Sequence, residues 1–301
     1  MSSEGRASTR GSGDRPDRPA RGTLPAPIVQ EFRRLLQDAL DATDHEGRIW
    51  SNAKWGVYAF YDYDGEPIYV GQTNERLRTR VRRHLTNQRT DAVAMRILDV
   101  FEVAEMELWP LWDLEQVGKS DQNAKDLLNA MEYSAYTQAI ERSKFKAILN
   151  EKIPPLSAPA DLPPSRRFTL VSDETRIERG HPDVRIARRA ETIARLAAVA
   201  HERGEVSTGL RRVLVIQAVR LAYISAARLS AVEGRPAPDP AAISVEGLVG
   251  SVLYEHSDPL GETDLDEGDA GSEADEQPPE RQGGRVLVSE GQRAIVSQRI
   301  E

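Results

Sequence analysis

Two tyrosines, Tyr58 and Tyr69, stand in segments dense in strand formers, Gly56-Val57-Tyr58 and Tyr69-Val70-Gly71. A phenol can hold or pass a proton from water where nearby cations lower its pKa. Arg80 and His84 follow, four residues apart and therefore on one face of a helix. An arginine can pair with two phosphate oxygens and stabilise charge building there. A histidine one turn on can pass a proton or hydrogen-bond an attacking water. Glu132 is flanked by Leu128, Met131 and Ala135. A carboxylate beside an apolar stripe is costly unless it is paired or holds a metal. A hard oxygen ligand suits Mg²⁺, which often uses only one or two carboxylates. Each residue also has an ordinary explanation: tyrosines favour strands, Arg80 and His84 fit a solvated basic face, and Glu132 fits a boundary position.

These residues need elements to position them. Pro27 is placed to open a helix that carries Ile28, Phe32, Leu35, Leu36, Ala39 and Leu40 at helical spacing. Trp55 to Tyr61 reads as a strand, Asp64-Gly65 as a hairpin turn, and Pro67 to Val70 as the returning strand. Gly71, just after that strand, is suited to close backbone approach. Asn74 to Asn87 is predicted helical, with Leu77, Val81 and Leu85 inward. Val100 to Leu108 alternates as a third strand. Ser120 or Asp121 can cap a long helix through Leu127, Leu128, Met131, Ala135 and Ile140. The predicted order is helix-β-β-α-β-α. The fold class is α+β, a small three-stranded antiparallel sheet flanked by helices.

Residues 1–24, rich in Ser, Gly, Pro and Arg, are expected to be disordered, with the sheet-containing domain at 25–152. Prolines 154, 155, 159, 163 and 164 mark 153–182 as a linker. A helical region spans 183–256. Its first helix has the stripe Ile186, Ala190, Ile193, Ala197 and Ala200; its second, about Leu210 to Leu229, is apolar around most of its circumference and predicted to be buried. This hairpin of helices either packs on the sheet-containing domain or forms a homodimer contact. Its arginines, including Arg185, Arg188, Arg189 and Arg220, are read as exposed helix positions or as contacts to nucleic acid. An acidic tail, 257–301, is expected to be disordered.

The chain has 301 residues, enough for one or two cores, and a net charge of −8. The total misleads about partners. Ten acids and no base lie between Asp258 and Glu280, whereas Asn74–Arg89 holds six arginines against one glutamate. The local field of that basic face matters more to a phosphate than the net charge does. The acidic tail is read either as a solvating end or as a competitor with phosphates for the basic helix. The absence of cysteine excludes disulfides, thiolate zinc sites and thiol nucleophiles, and five scattered histidines make no obvious metal cluster. The expectation is a cytoplasmic protein without membrane contact, since no apolar run looks long enough to span a bilayer.

Across Trp55–Ile153, about a third of the chain, the sequence resembles the GIY-YIG endonucleases. The two tyrosine motifs match as Gly-Val-Tyr and Tyr-Val-Gly. The stretch Leu77-Arg78-Thr79-Arg80-Val81-Arg82-Arg83-His84-Leu85 is similar to the family's arginine-bearing helix, with a histidine one turn later as in the restriction branch and some homing nucleases. Ala130-Met131-Glu132-Tyr133 resembles the helix that carries the metal-binding glutamate. Asn150, before Ile153-Pro154-Pro155, is the candidate for the family's late asparagine.

The resemblance implies a DNA endonuclease dependent on Mg²⁺ (or Mn²⁺), working in restriction or other defence, in repair, or on mobile DNA. Tyr58 would be the general base for water or would orient it, with Tyr69 in the same hydrogen-bond network. Arg80 would contact the scissile phosphate and His84 would assist proton transfer. Glu132 would hold one divalent ion, and Asn150 would brace the site. Arg76, Arg78, Arg82, Arg83 and Arg89 would steer phosphates. The intervals Arg80–Glu132 and Glu132–Asn150 are longer than in many relatives. Glu141 therefore stands as a rival to Glu132, and Ser157 as a rival to Asn150. The alternative function is a nucleic-acid-binding or regulatory module on the same fold.

Overall fold

A computed structural model describes residues 25–86 and 99–254. The two terminal segments predicted to be disordered, 1–24 and 257–301, lie outside the described residues, and so does Arg89.

Helix α1 (Pro27–Asp41) opens on its proline and buries Phe32, Leu36, Ala39 and Leu40. Strands β1 (Gly56–Tyr61) and β2 (Pro67–Thr73) form the predicted hairpin around Asp64-Gly65. Helix α2 (Leu77–Thr86) buries the predicted stripe of Leu77, Val81 and Leu85. The third strand, β3, is Glu105–Pro110 and starts later than expected. Residues Val100–Glu102 form a tight 3₁₀ turn instead, because the Asp99 carboxylate accepts the Phe101 N–H at 3.0 Å and caps it. Helix α3 (Gln122–Arg142) begins where Asp121 accepts the Ala124 N–H at 2.9 Å.

The sheet has four antiparallel strands in the order β2-β1-β3-β4, one more than the sequence predicts. The fourth, β4 (Arg166–Thr169), lies in the stretch read as a proline-rich linker, which also contains the short helix α4 (Asp173–Arg179). Only Phe168 of β4 is buried, so the segment lacks the alternation that announces a strand. Pairing with β3 makes it one: Met106 faces Phe168, and β3 gains partners along an edge that would otherwise be open.

Helices α5 (Pro182–Arg203) and α6 (Thr208–Val232) make the predicted helical hairpin, followed by the single-turn α7 (Val245–Val249). The buried face of α5 is not the predicted one. Arg185, Arg189, Thr192, Leu196 and Val199 point inward, one position before each residue of the expected stripe, and Ala190 and Ala197 are exposed. The helix is rotated because two of its arginines are drawn to buried carboxylates. Contrary to the expectation from sequence, α6 is long and apolar enough to cross a membrane by length and composition. In the structure α6 packs against α5, and its Leu210, Val213 and Ile216 join the same core as Trp55, Phe60, Leu108 and Ile148. Each such fully buried side chain contributes about 1.5–3 kcal/mol.

Candidate active site

The hairpin register decides where the tyrosines meet. Tyr58 on β1 sits opposite Gly71 on β2, and Phe60 sits opposite Tyr69. Tyr58 and Tyr69 are therefore diagonal neighbours on one face of the sheet, with ring centroids 6.0 Å apart. Gly71 makes room for both. A Cβ there would lie 2.7 Å from the Tyr58 hydroxyl oxygen and 2.6 Å from Cε1 of Tyr69. Gly56, the first residue of the pair of motifs, does the same for the neighbouring helix: a Cβ would come within 2.7 Å of Leu77 Cδ1.

With Leu77, Val81 and Leu85 inward, α2 turns Arg80 and His84 toward the tyrosines. The His84 ring lies 5.7 Å from that of Tyr58 and 5.4 Å from that of Tyr69. Its Nε2 is 2.9 Å from the Tyr58 hydroxyl oxygen. Burial, with Arg80 and Arg83 adding repulsion, lowers the His84 pKa to about 4. The ring is thus neutral near pH 7, and Nε2 accepts the Tyr58 proton, with the ring proton assigned to Nδ1 on that basis. Burial raises the Tyr58 pKa well above its usual value, and the neighbouring Tyr69 adds to the rise. Arg80, hydrogen-bonded to the phenol, pulls the other way. Tyr58 has no solvent exposure, while Tyr69 and His84 are half-buried.

Glu132 comes to the same place from α3. Its carboxyl is buried, which raises its pKa to about 7. Attraction to Arg80 and a hydrogen bond from the Gln72 backbone N–H reduce that rise. Arg80 therefore acts electrostatically on both Tyr58 and Glu132. The rival Glu141 is exposed in the last turn of α3, nine residues on and about 13 Å along the axis.

Asn150 meets the backbone of β2 rather than the phenols. Its Oδ1 accepts the Val70 N–H at 2.9 Å and its Nδ2 donates to the Val70 C=O at 2.7 Å. The amide thus imitates a neighbouring strand on the open edge of β2, one residue from Tyr69 and one from Gly71. Ser157, the rival, donates its hydroxyl to the Pro155 carbonyl at 3.0 Å.

Of the four described arginines expected to steer phosphates, Arg78, Arg82 and Arg83 are engaged within the protein, and Arg76 is exposed. Arg78 donates to the Leu40 carbonyl at 3.0 Å and pairs with Asp41, Arg82 bonds Gln37, and Arg83 pairs with Glu75 at 2.7 Å. Two of the four thus fasten α2 to α1.

Sequence reasoning missed Gln72. Its backbone N–H holds Glu132, and its side-chain Nε2 donates to Asn129 Oδ1 at 2.8 Å, one turn before Glu132 on α3. Nothing in its type announces this role. Its place beside Gly71 on an edge strand is the only signal.

A single buried carboxylate with an unusually high pKa fits a hard divalent cation that keeps most of its waters. No cluster of three or more His, Asp or Glu ligands occurs among the described residues, so the donor set fits such a cation and not a zinc-type cage.

A small antiparallel sheet flanked by helices, an α+β arrangement, sets paired tyrosines against an arginine, a histidine and a buried glutamate. Residues 54–114 match the GIY-YIG catalytic domain, which supports placing this stretch of the chain in the GIY-YIG superfamily. The matched stretch carries Tyr58, Tyr69, Arg80 and His84, and it stops before Glu132 and Asn150. No curated protein and no solved structure matches the chain. A GIY-YIG domain implies nuclease activity in general, and nucleases of this family use divalent metal ions.

Proposed function

We propose that this protein is a metal-dependent endonuclease that hydrolyses DNA phosphodiester bonds at the site built from Tyr58, Tyr69, Arg80, His84 and Glu132. The observation that carries this reading is the 2.9 Å contact between the Tyr58 hydroxyl and a neutral His84. A buried tyrosine whose pKa is raised does not ionise by itself near neutral pH. It can relay a proton. As water attacks phosphorus, the Tyr58 oxygen takes the water proton while its own proton passes to Nε2 of His84. The phenol stays neutral throughout and the histidine becomes the charged species. Tyr69 holds the oxygen network in place. Arg80 stabilises the negative charge that accumulates on the phosphate oxygens. Glu132 would hold Mg²⁺ (or Mn²⁺), which when bound supplies positive charge to the phosphate and the leaving oxygen. Gln72 and Asn150 keep Glu132 and the tyrosine strand in position.

A second reading, a nucleic-acid-binding or regulatory module on the same fold, draws on the complete burial of Tyr58. Incubating the purified protein with plasmid and varied linear DNA, with and without Mg²⁺, separates the two. Metal-dependent cleavage that Tyr58→Phe and Glu132→Ala each reduce by orders of magnitude supports the nuclease. Salt-sensitive binding with no cleavage supports the binding module. Sequencing the cut ends from a complex DNA library would assign the protein to restriction, repair or mobile-element work.

A further inference from the structure

The hairpin that carries Tyr58 and Tyr69 is gripped at its turn by residues more than a hundred positions away. Asp62 follows β1 directly and is buried, with 1% of its side chain exposed. Its two carboxylate oxygens divide the work. Oδ1 accepts the N–H groups of Asp64 and Glu66, at 2.9 and 3.0 Å, and so shapes the turn. Oδ2 accepts from Arg185 at 2.8 Å and from Arg189 at 2.6 Å, both on α5. Burial would raise the Asp62 pKa, yet Arg185 and Arg189 outweigh it and hold the carboxyl below its usual range. Glu102 stands 3.6–3.7 Å from the same two guanidinium groups, Asp64 pairs with Arg185, and Gln217 of α6 accepts from Arg189 at 3.2 Å. At the other side of the turn, buried Arg220 of α6 donates to the carbonyls of Pro67, the first residue of β2, and Ala147, at 3.0 and 2.9 Å.

Two core helices do not need three buried arginines between them merely to be stable. Buried ion pairs return little net stability relative to apolar packing of similar volume, because desolvation consumes most of the attraction. Such a network does impose geometry. The β1–β2 register shifts between Phe60 and Tyr61, two residues past Tyr58. An irregular pairing of this kind is a soft point in a strand, and Asp62 is the next residue along.

We propose that α5 and α6 are positioning elements of the active site, with Arg185 and Arg189 acting through Asp62, and Arg220 through the start of β2, to set the height and tilt of the tyrosine hairpin against α2. None of these arginines touches the reacting groups. All three lie outside the stretch matched by the family. The inference rests on reading the Tyr58–His84 pair as the active centre, and its test has one readout that does not need cleavage.

Full-length protein is labelled with ¹⁵N-histidine and the His84 Nε2 resonance, which reports the bond from Tyr58, is followed in wild type and three variants. Asp62→Asn keeps the acceptor for both turn amides and removes the anion between the arginines. Arg189→Lys keeps the charge with fewer donors and serves if Asp62→Asn does not fold. Leu196→Ala weakens the buried face of α5 without touching the network. The expected result, well below each melting transition, is that Asp62→Asn shifts the His84 resonance and lowers kcat about tenfold with KM little changed, about 1.4 kcal/mol in the barrier. Arg189→Lys should move the resonance the same way by less, and Leu196→Ala should lower the melting temperature alone. An unmoved resonance in the folded network variants overturns the proposal. So does an equal shift in Leu196→Ala, which would make the network a matter of stability only. If wild type cleaves no DNA, the nuclease reading fails, and the resonance still decides the coupling.

Discussion

The Tyr58 hydroxyl and His84 Nε2 lie 2.9 Å apart, across a pairing of strand and helix that sequence spacing does not reveal. Because burial and Arg80 keep the imidazole neutral, the histidine is the acceptor in this bond. Replacing His84 with Ala should therefore cost roughly 10²-fold or more in kcat, the range for a positioned proton-transfer group. The double variant with Tyr58→Phe should be little worse than the worse single one, since the two residues form one relay. Steady-state cleavage of a defined duplex measures both. Losses that multiply would show two independent roles.

The acid limb of the rate profile should belong to Glu132 and not to His84. Glu132 must be ionised to hold a cation, and its pKa without metal is about 7. Activity at limiting Mg²⁺ should rise with pH through that region, and the midpoint should fall as Mg²⁺ increases. His84, at about 4, titrates too low to produce this limb. A midpoint that ignores metal concentration would remove Glu132 from the metal role.

Stability without metal should follow the same carboxyl with the opposite sense. A carboxyl whose folded pKa is raised from 4.5 to about 7 favours the folded state fully below 4.5, and the folded state loses that advantage as pH rises through 7. The loss is on the order of 3 kcal/mol. Glu132→Gln should flatten this dependence and raise the melting temperature at pH 8 relative to wild type, while abolishing cleavage. Thermal melts at pH 5 and pH 8 measure the effect.

Gly71→Ala should damage the site more than the fold. The added methyl would overlap the Tyr58 hydroxyl and the Tyr69 ring, so one phenol must move. Overpacking of this kind costs about 1–3 kcal/mol. The variant should fold with a lowered melting temperature and cleave far more slowly than that loss explains.

Asn150→Ala should loosen β2 by leaving the Val70 N–H and C=O without their side-chain partner, at about 1–3 kcal/mol for a buried unsatisfied group. Amide exchange at Val70 should quicken before exchange at β1 does. Asn150→Asp keeps the acceptor and loses the donor, and it should fall between wild type and the alanine variant.

Much of this protein is legible along the chain because the relevant forces are local. Alternation, caps and turn residues place β1, β2, α2 and α3, and a four-residue spacing is enough to bring Arg80 and His84 to one helix face. The tyrosine motifs and the inward stripe of α2 follow from the same short-range periodicity. Partnership between distant segments leaves no such trace. Whether Arg78 and Arg82 meet phosphate or lean on α1 depends on where another helix lies. Phe168 alone cannot announce β4, whose existence depends on the free edge of β3. The face that α5 buries is chosen by Asp62 and Glu102, two carboxylates more than eighty residues earlier, against the helix's own apolar stripe. The low pKa of His84 and the high pKa of Glu132 likewise come from burial, which is a property of the packed assembly. Residue type and spacing nominate the chemistry, and long-range packing sets the protonation states and the geometry in which those residues meet.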